Sequence, residues 1–276
     1  MSAPNNPQRK DHWTSTAYNT CAGFVPKLTT KVLSYLDPQP TDTILDIGCG
    51  DGSLTSQIAA SGAKVLGVDA SKSFIDTATE KYTSSENCTF ILHDADELQT
   101  CPSAIDGNWD KAFSNAAMHW ILLRENTRQT FFENVHRSLR KDGKFVFEMG
   151  GAGNCAEIQA VSIAALVHAG VSLHRAREEF PWVFPSAGWM RGMLERTGFE
   201  VEICELEYRP SVLDEGALEG WIRLMCADML EVVEGEEKRD GVVREMCEVL
   251  ETVMRRVEDG SMWMGYVMLR AVARKI

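Results

Sequence analysis

The chain of 276 residues carries 40 Asp and Glu against 28 Lys and Arg, a formal charge of −12, with 44% apolar and 25% charged residues. That balance suits a globular α/β protein and disfavours a nucleic-acid partner, whose phosphates are bound mainly through Lys and Arg. Ala160–Leu173, the most apolar long stretch, is too short to span a bilayer, Met1–Lys10 has no apolar signal core, and the eight cysteines show neither a Cys-x-x-Cys pair nor zinc-like spacing. A cytoplasmic protein with reduced thiols, no metal and no membrane partner is expected.

Residues 1–36 read as an arm followed by a helix, because Phe24, Val25, Leu28, Val32, Leu33 and Leu36 recur at helical spacing and Pro26 suits a first turn. Thr43–Ser53 then organises the chain. Ile44, Leu45 and Ile47 predict a buried strand, and Ser53 begins a helix. Between them Gly48, Gly50 and Gly52 form a turn that accepts positive φ and lets a ligand approach bare backbone. The helix start adds unpaired N–H groups and a positive dipole end. No Lys-Ser/Thr follows the last glycine, as a P-loop requires, and the third glycine comes one residue early for a nicotinamide fingerprint.

Asp46 completes the pattern Asp-x-Gly-x-Gly-x-Gly, and here the chain resembles the class I S-adenosylmethionine (SAM)-dependent methyltransferases. The resemblance implies that Asp46 faces the cationic methionyl end of SAM and that Gly48, Cys49 and Gly50 lie against the cofactor. Cys49 is expected to serve as a small loop residue and not as a nucleophile.

Lys64–Val68 is the second predicted strand and leads into Asp69 and Ala70. An acid about twenty residues past the first glycine is where a βαβ unit sets a carboxylate on ribose hydroxyls. Ser71 suits the N-cap of the next helix. Thr89–Leu92 is the third strand, followed by Asp94-Ala95-Asp96-Glu97. The resemblance implies that Asp94 takes the exocyclic amine of adenine and that a backbone N–H at Ala95 meets a ring nitrogen. Asp96 and Glu97 suit the first turn of a short helix.

The fourth strand, Trp109–Phe113, opens into Ser114–Trp120. Asp110–Trp120 resembles the Phe-Asp-x-x-x-Ser-Asn-Ala-x-x-His-Trp signature of the trans-aconitate methyltransferase-like branch, with Trp109 where that branch often has Phe. This implies that Asn115 binds the methionyl ammonium and that Ala116 lets the backbone pass close to it. The Asn/Asp-Pro-Pro-Tyr/Phe motif common in enzymes that methylate exocyclic or amide nitrogens is missing. His119 is the candidate catalytic residue. As a general base it could contribute on the order of 10²–10⁴-fold for a hydroxyl or thiol acceptor, whereas it would merely orient a carboxylate.

Glu125–Leu139 is an amphipathic helix closed by a basic turn at Arg140-Lys141 and a glycine turn at Gly143. Lys144–Glu148 is the fifth strand, and Arg137–Asn154 again resembles the trans-aconitate branch, departing from it at Lys141-Asp142. Beyond lie helices over Cys155–Ala169 and Ser186–Arg196, the aromatic-proline run Phe180–Pro185, and a strand over Phe199–Leu206. Helices over Val212–Val233 and Val242–Val257 and a closing strand over Trp263–Ala273 complete the chain.

The alternation of strands and helices predicts an α/β fold. With the resemblance, it implies a Rossmann-like seven-stranded methyltransferase sheet, its last strand antiparallel, with helices on both faces and a helical cap. One domain is expected over 1–276, with 1–36 as arm and helix and 207–260 as the cap before the last strand. The implied activity is transfer of the SAM methyl group to a small molecule by in-line displacement, leaving S-adenosylhomocysteine. A carboxylate oxygen is the preferred acceptor, and positioning alone can supply up to ~7–11 kcal/mol. The pocket candidates are His12, Trp13, Tyr18, Trp120, Glu148 and Trp182, with Arg175, Arg177 and Arg223 reading as surface groups. The alternatives are methylation of a phenol, thiol or amine, or a catalytically silent SAM/S-adenosylhomocysteine-binding protein. The protein is expected to be a monomer.

Overall fold

The computed structural model describes residues 29–82 and 85–276. Helix α1 (Thr30–Leu36) leads to β1 (Thr43–Ile47), and then α2 (Ser53–Ala59), β2 (Lys64–Asp69), α3 (Lys72–Tyr82) and β3 (Cys88–Leu92) follow. A 3₁₀ segment (Ala95–Thr100) precedes β4 (Trp109–Asn115), the one-turn α4 (Met118–Ile121), α5 (Arg128–Ser138) and β5 (Leu139–Gly150). These elements form a sheet of seven strands with β6 (Phe199–Tyr208) and β9 (Val267–Lys275), in the order β3-β2-β1-β4-β5-β9-β6. Strands β1 to β5 pair in parallel, whereas β9 runs antiparallel to both its neighbours, β5 and β6.

The chain winds outward from β1 to β3 and then returns to build β4 and β5 on the other side. The carboxyl ends of β1 and β4 therefore flank a switch point, the place where open α/β sheets bind ligands. Alternation along β1 explains why both faces are covered. Leu45 and Ile47 join a core with Phe131, Phe132 and Val135 of α5, whereas Ile44 points to the opposite core with Val32, Leu36 and Ile58. Asp46 shares the face of Ile44, beneath α2.

A second assembly covers the carboxyl side of the sheet's far half. It comprises α6 (Ala156–His168), α7 (Leu173–Glu178), α9 (Ala217–Met225), α10 (Ala227–Leu230) and α11 (Glu236–Met254). Its own apolar core includes Ile158, Leu166, Trp182, Trp221, Met246 and Leu250. The last three of these helices are inserted between β6 and β9 through a ribbon of two short strands, β7 (Ser211–Leu213) and β8 (Met262–Met264). Helix α8 (Ala187–Arg196) instead packs on the sheet, started by Ser186, whose Oγ accepts from Trp189 N.

Three expected boundaries are corrected. Arg140–Gly143 is not a helical last turn: α5 stops at Ser138, Leu139 already pairs with Trp109, and the turn is a kink inside β5 with Asp142 at φ 63°. Ser211–Leu213 is strand and not the start of a helix, because it pairs with Met262–Met264. The closing strand is two strands, broken at Gly265 and Tyr266, where Gly265 N donates to Glu157 Oε1 at 2.6 Å.

Candidate active site

The turn after β1 is shaped by backbone requirements. Gly48, Gly50 and Gly52 lie at φ +77°, +56° and +76°, in the left-handed region that L side chains avoid. They differ in what a side chain would meet. A Cβ on Gly48 would overlap Ala117, and one on Gly52 would come within 2.8 Å of the Phe90 ring, whereas one on Gly50 meets nothing within 4 Å. Gly48 and Gly52 are thus glycines because of the protein's own packing. At Gly50 the protein leaves open space beside bare backbone, as close approach by a ligand requires.

Acids frame this loop. Asp69, at the end of β2, accepts from Gly50 N through Oδ2 and from Ser71 N through Oδ1, both at 2.9 Å. It thereby braces the glycine turn. Ala70 beside it is exposed. Asp46 is buried and accepts from Thr55 Oγ1 at 2.7 Å. Burial above all raises its carboxyl, against the Thr55 bond that lowers it and with the nearby Asp69 charge that adds to the rise, to about 7 in all. A cation brought to this end of the crevice would relieve two neighbouring acids. The Cys49 thiol is buried and packs where a side chain on Gly67 would stand. Burial pushes it well above the ordinary thiol range, so no thiolate nucleophile is on offer.

Beyond β3, Asp94 caps the 3₁₀ segment by accepting from Asp96 N and is ion-paired with Arg124 at 3.0 Å. Ala95 is buried behind it. At the end of β4, Ser114 Oγ donates to Ile47 O at 2.8 Å, which ties the two flanking strands together. Asn115 Oδ1 is buried with no hydrogen-bond partner among the described residues. Ala116 follows at φ 54°, its N–H donating to Glu148 O at 2.9 Å. A left-handed alanine and an orphaned amide oxygen side by side are the kind of strain that clusters at ligand sites.

The residues present suit SAM on these observations. Asn115 Oδ1 and the Asp46 end would hold a cationic methionyl group, Gly50 leaves room along the backbone, and Asp69 and Asp94 stand at the carboxyl ends of the next two strands.

Past the end of β4 the surroundings are aromatic. His119 in α4 lies 5.6 Å from the Trp120 ring and 5.9 Å from Phe184, while Trp120 meets Trp182 edge-on at 5.5 Å. Val183 N donates to His119 O at 3.1 Å, which ties the aromatic-proline segment to α4. His119 Nδ1 is sealed from solvent with no partner among the described residues. Burial alone pushes its imidazole down to about 3, so the ring is neutral at physiological pH. Trp221, on the inserted cap, packs 5.9 Å from Trp182, and its buried Nε1 has no hydrogen-bond partner among the described residues. Sequence reading missed Trp221, since an apolar residue on an amphipathic helix gives no sign of an orphaned N–H.

Not every expected pocket residue reaches this cluster. Glu148 is buried with its carboxylate held by Arg270 and, at 3.1 Å, by Arg209. Arg270 is bound in turn by Glu207, which also pairs with Lys31 at 2.9 Å. Glu148 thus anchors an ion-pair network that runs from β5 through β9 and β6 to α1. Arg175 and Arg223 pair on the cap surface with Glu179 and with Glu219 and Asp240, and Arg177 is exposed. His12, Trp13 and Tyr18 lie outside the described residues.

The chain is similar to known methyltransferases. Residues 44–143, which span the glycine turn to the β5 kink, match the family model described as a methyltransferase domain. An uncharacterised methyltransferase of Schizosaccharomyces pombe is 33% identical over 270 residues, covering 96% of this chain and 99% of its own. A malonyl-[acyl-carrier protein] O-methyltransferase of Bacillus cereus is 26% identical over 178 residues, 62% of this chain and 58% of its own. Among solved structures, the YcgJ protein of Bacillus subtilis superposes with a TM-score of 0.59 at 16% identity, over 89% of this chain and 98% of its own.

Proposed function

The chain belongs to the class I SAM-dependent methyltransferases, and from that premise we propose that it esterifies a small carboxylic acid, as the likeness of its Asp110–Trp120 and Arg137–Asn154 segments to the trans-aconitate methyltransferase-like branch suggests. When bound, SAM supplies a methyl group already activated by its sulfonium. What the protein must add is orientation of the acceptor and exclusion of water.

The observation that carries the carboxylate reading is the state of His119. A useful general base needs a pKa near the working pH, whereas this imidazole is pushed down to about 3 and no described carboxylate pairs with it to raise its basicity. A phenol, thiol or protonated amine must lose a proton to react, but a carboxylate is already ionised and needs no base. Neutral His119 can still donate one N–H and thereby hold an acceptor-only group. The aromatic walls at Trp120, Trp182 and Phe184 suit an apolar or unsaturated stem behind that group. The Bacillus cereus relative, a malonyl-[acyl-carrier protein] O-methyltransferase, is in keeping with this chemistry.

The test is incubation with SAM and matched panels of carboxylic acids, phenols, thiols and amines, with products read by mass. Methyl esters should form, at a rate that His119→Gln lowers by roughly tenfold through lost orientation. Methylated phenols or thiols instead, with a rate that rises with pH, would overturn the carboxylate reading. Binding of S-adenosylhomocysteine without turnover on any panel would favour a silent binding protein.

A further inference from the structure

We infer that Arg124 positions Asp94 for the adenine of the cofactor and so sets the preference for a base that bears an exocyclic amine. The inference rests on the assignment of Asp94 to adenine and adds to it a residue outside the cofactor loops.

Arg124 follows α4, and its guanidinium spans two carboxylates. Nη2 donates to Asp94 Oδ2 at 3.0 Å, and Nε lies 2.7 Å from Asp96 Oδ2. Asp96 is 6% exposed, and its Oδ1 accepts from Thr127 Oγ1 at 3.1 Å. Asp94 Oδ1 accepts from Asp96 N at 3.0 Å. Both oxygens of Asp94 thus have a fixed protein partner, and the carboxylate cannot turn without losing both contacts. Each oxygen nevertheless retains a lone pair for a ligand.

Two features make this a positioning device and not a stabilising surface pair. The Arg124 and Asp94 side chains are 48% and 45% exposed, a setting in which an ion pair contributes little energy. The planar fork of arginine, however, dictates direction, because its N–H vectors are fixed relative to one another in a way a lysine ammonium cannot match. Asp96, buried and tied to the same fork, is the fixed point against which Arg124 is braced. A carboxylate locked in this way is an acceptor only. It accepts from the amine of adenine and repels an oxo group at the same ring position.

The experiment compares binding of S-adenosylhomocysteine with that of its inosyl counterpart, in which an oxo group replaces the amine. The wild-type protein should prefer the adenosyl form by roughly tenfold or more, the worth of one charge-assisted hydrogen bond. Arg124→Ala should bring the two forms within about threefold by weakening the adenosyl form alone, and Arg124→Lys should restore only part of the preference. General loosening of the crevice would weaken both ligands alike, so an unchanged ratio in folded Arg124→Ala overturns the role of Arg124. Equal binding of both forms by the wild type overturns the Asp94 assignment itself and the inference with it. If Arg124→Ala fails to fold because Asp96 loses its counter-ion, combining it with Asp96→Asn removes that charge and supports the same measurement.

Discussion

The crevice and the cap are built by opposite means. The crevice is made of backbone: left-handed glycines, strand ends, and acids that hold N–H groups such as those of Gly50 and Ser71. The cap is made of side chains, an apolar core gathered from residues between Cys155 and Met264 with tryptophans at its centre. Backbone geometry suits a ligand whose shape never changes, while side-chain packing can be altered residue by residue. A constant cofactor and a variable acceptor would divide between two such regions.

Substitutions can strain that contrast. The largest effect is expected at the centre of the cap, where Trp221→Ala should cost about 3–5 kcal/mol of folding stability by denaturant titration, since the indole is almost fully buried. Cofactor affinity in the variant that remains folded should be nearly unchanged. Next comes Gly48→Ala, which combines overlap with Ala117 and a strained φ and should cost about 3 kcal/mol. Gly50→Ala meets no neighbour and should cost only about 1 kcal/mol, yet it should weaken S-adenosylhomocysteine binding in calorimetry. Equal losses of stability at the two glycines would break the distinction between a packing glycine and a ligand glycine.

Smaller effects should follow pH. Because Asp46 is raised from 3.8 to about 7 in the folded protein, its stabilising contribution is full below its unfolded value and is lost as pH rises through 7. His119 runs the other way: lowered from 6.5 to about 3, it contributes stability above 6.5 that is lost as pH falls through 3. Cationic SAM favours ionised Asp46, so its affinity should rise toward pH 7 by at most about tenfold per pH unit and then level off. Titration in buffers of different ionisation heat would detect the proton released. Asp46→Asn should flatten that profile. The smallest effect is expected for Trp221→Phe, which keeps most of the packing and removes the orphaned N–H. Stability should stay within about 1 kcal/mol of the wild type, and any loss of acceptor affinity would assign that N–H to the substrate.

The same contrast explains what could be read from the sequence. Strand, glycine turn and acid are local signals, so Thr43–Ile47, the Gly48–Gly52 turn and Asp69 were legible at their residue numbers. The helices of the cap were legible too, but the ribbon that carries them was not, because its form depends on distant partners. Ser211–Leu213 carries an ordinary helix-compatible pattern and becomes strand only by pairing with Met262–Met264. The basic run after α5 looks like a helix end, but Leu139 is drawn into the sheet by Trp109. Glu148 stands at the right strand end for a ligand, and nothing near it in sequence announces Arg270 or Arg209. The composition of Ala217–Met254 likewise conceals that Trp221 Nε1 is buried with no partner among the described residues.

The ribbon of β7 and β8 has a consequence for how the chain reaches this state. Strands β6 and β9 are neighbours, yet the whole insertion from β7 to β8 separates them along the chain. Pairing them directly would mean closing a long loop, whose entropic cost grows with its length. If the insertion condenses first, β7 and β8 bring its two ends side by side, and what remains to close is in effect a hairpin. Strand β9 is then delivered into the gap between β5 and β6, the last of the seven to be synthesised and an interior strand of the finished sheet. The cap would thus act during biosynthesis as a staple for the sheet, and damage to its core would first appear as slow or incomplete folding of the domain it covers.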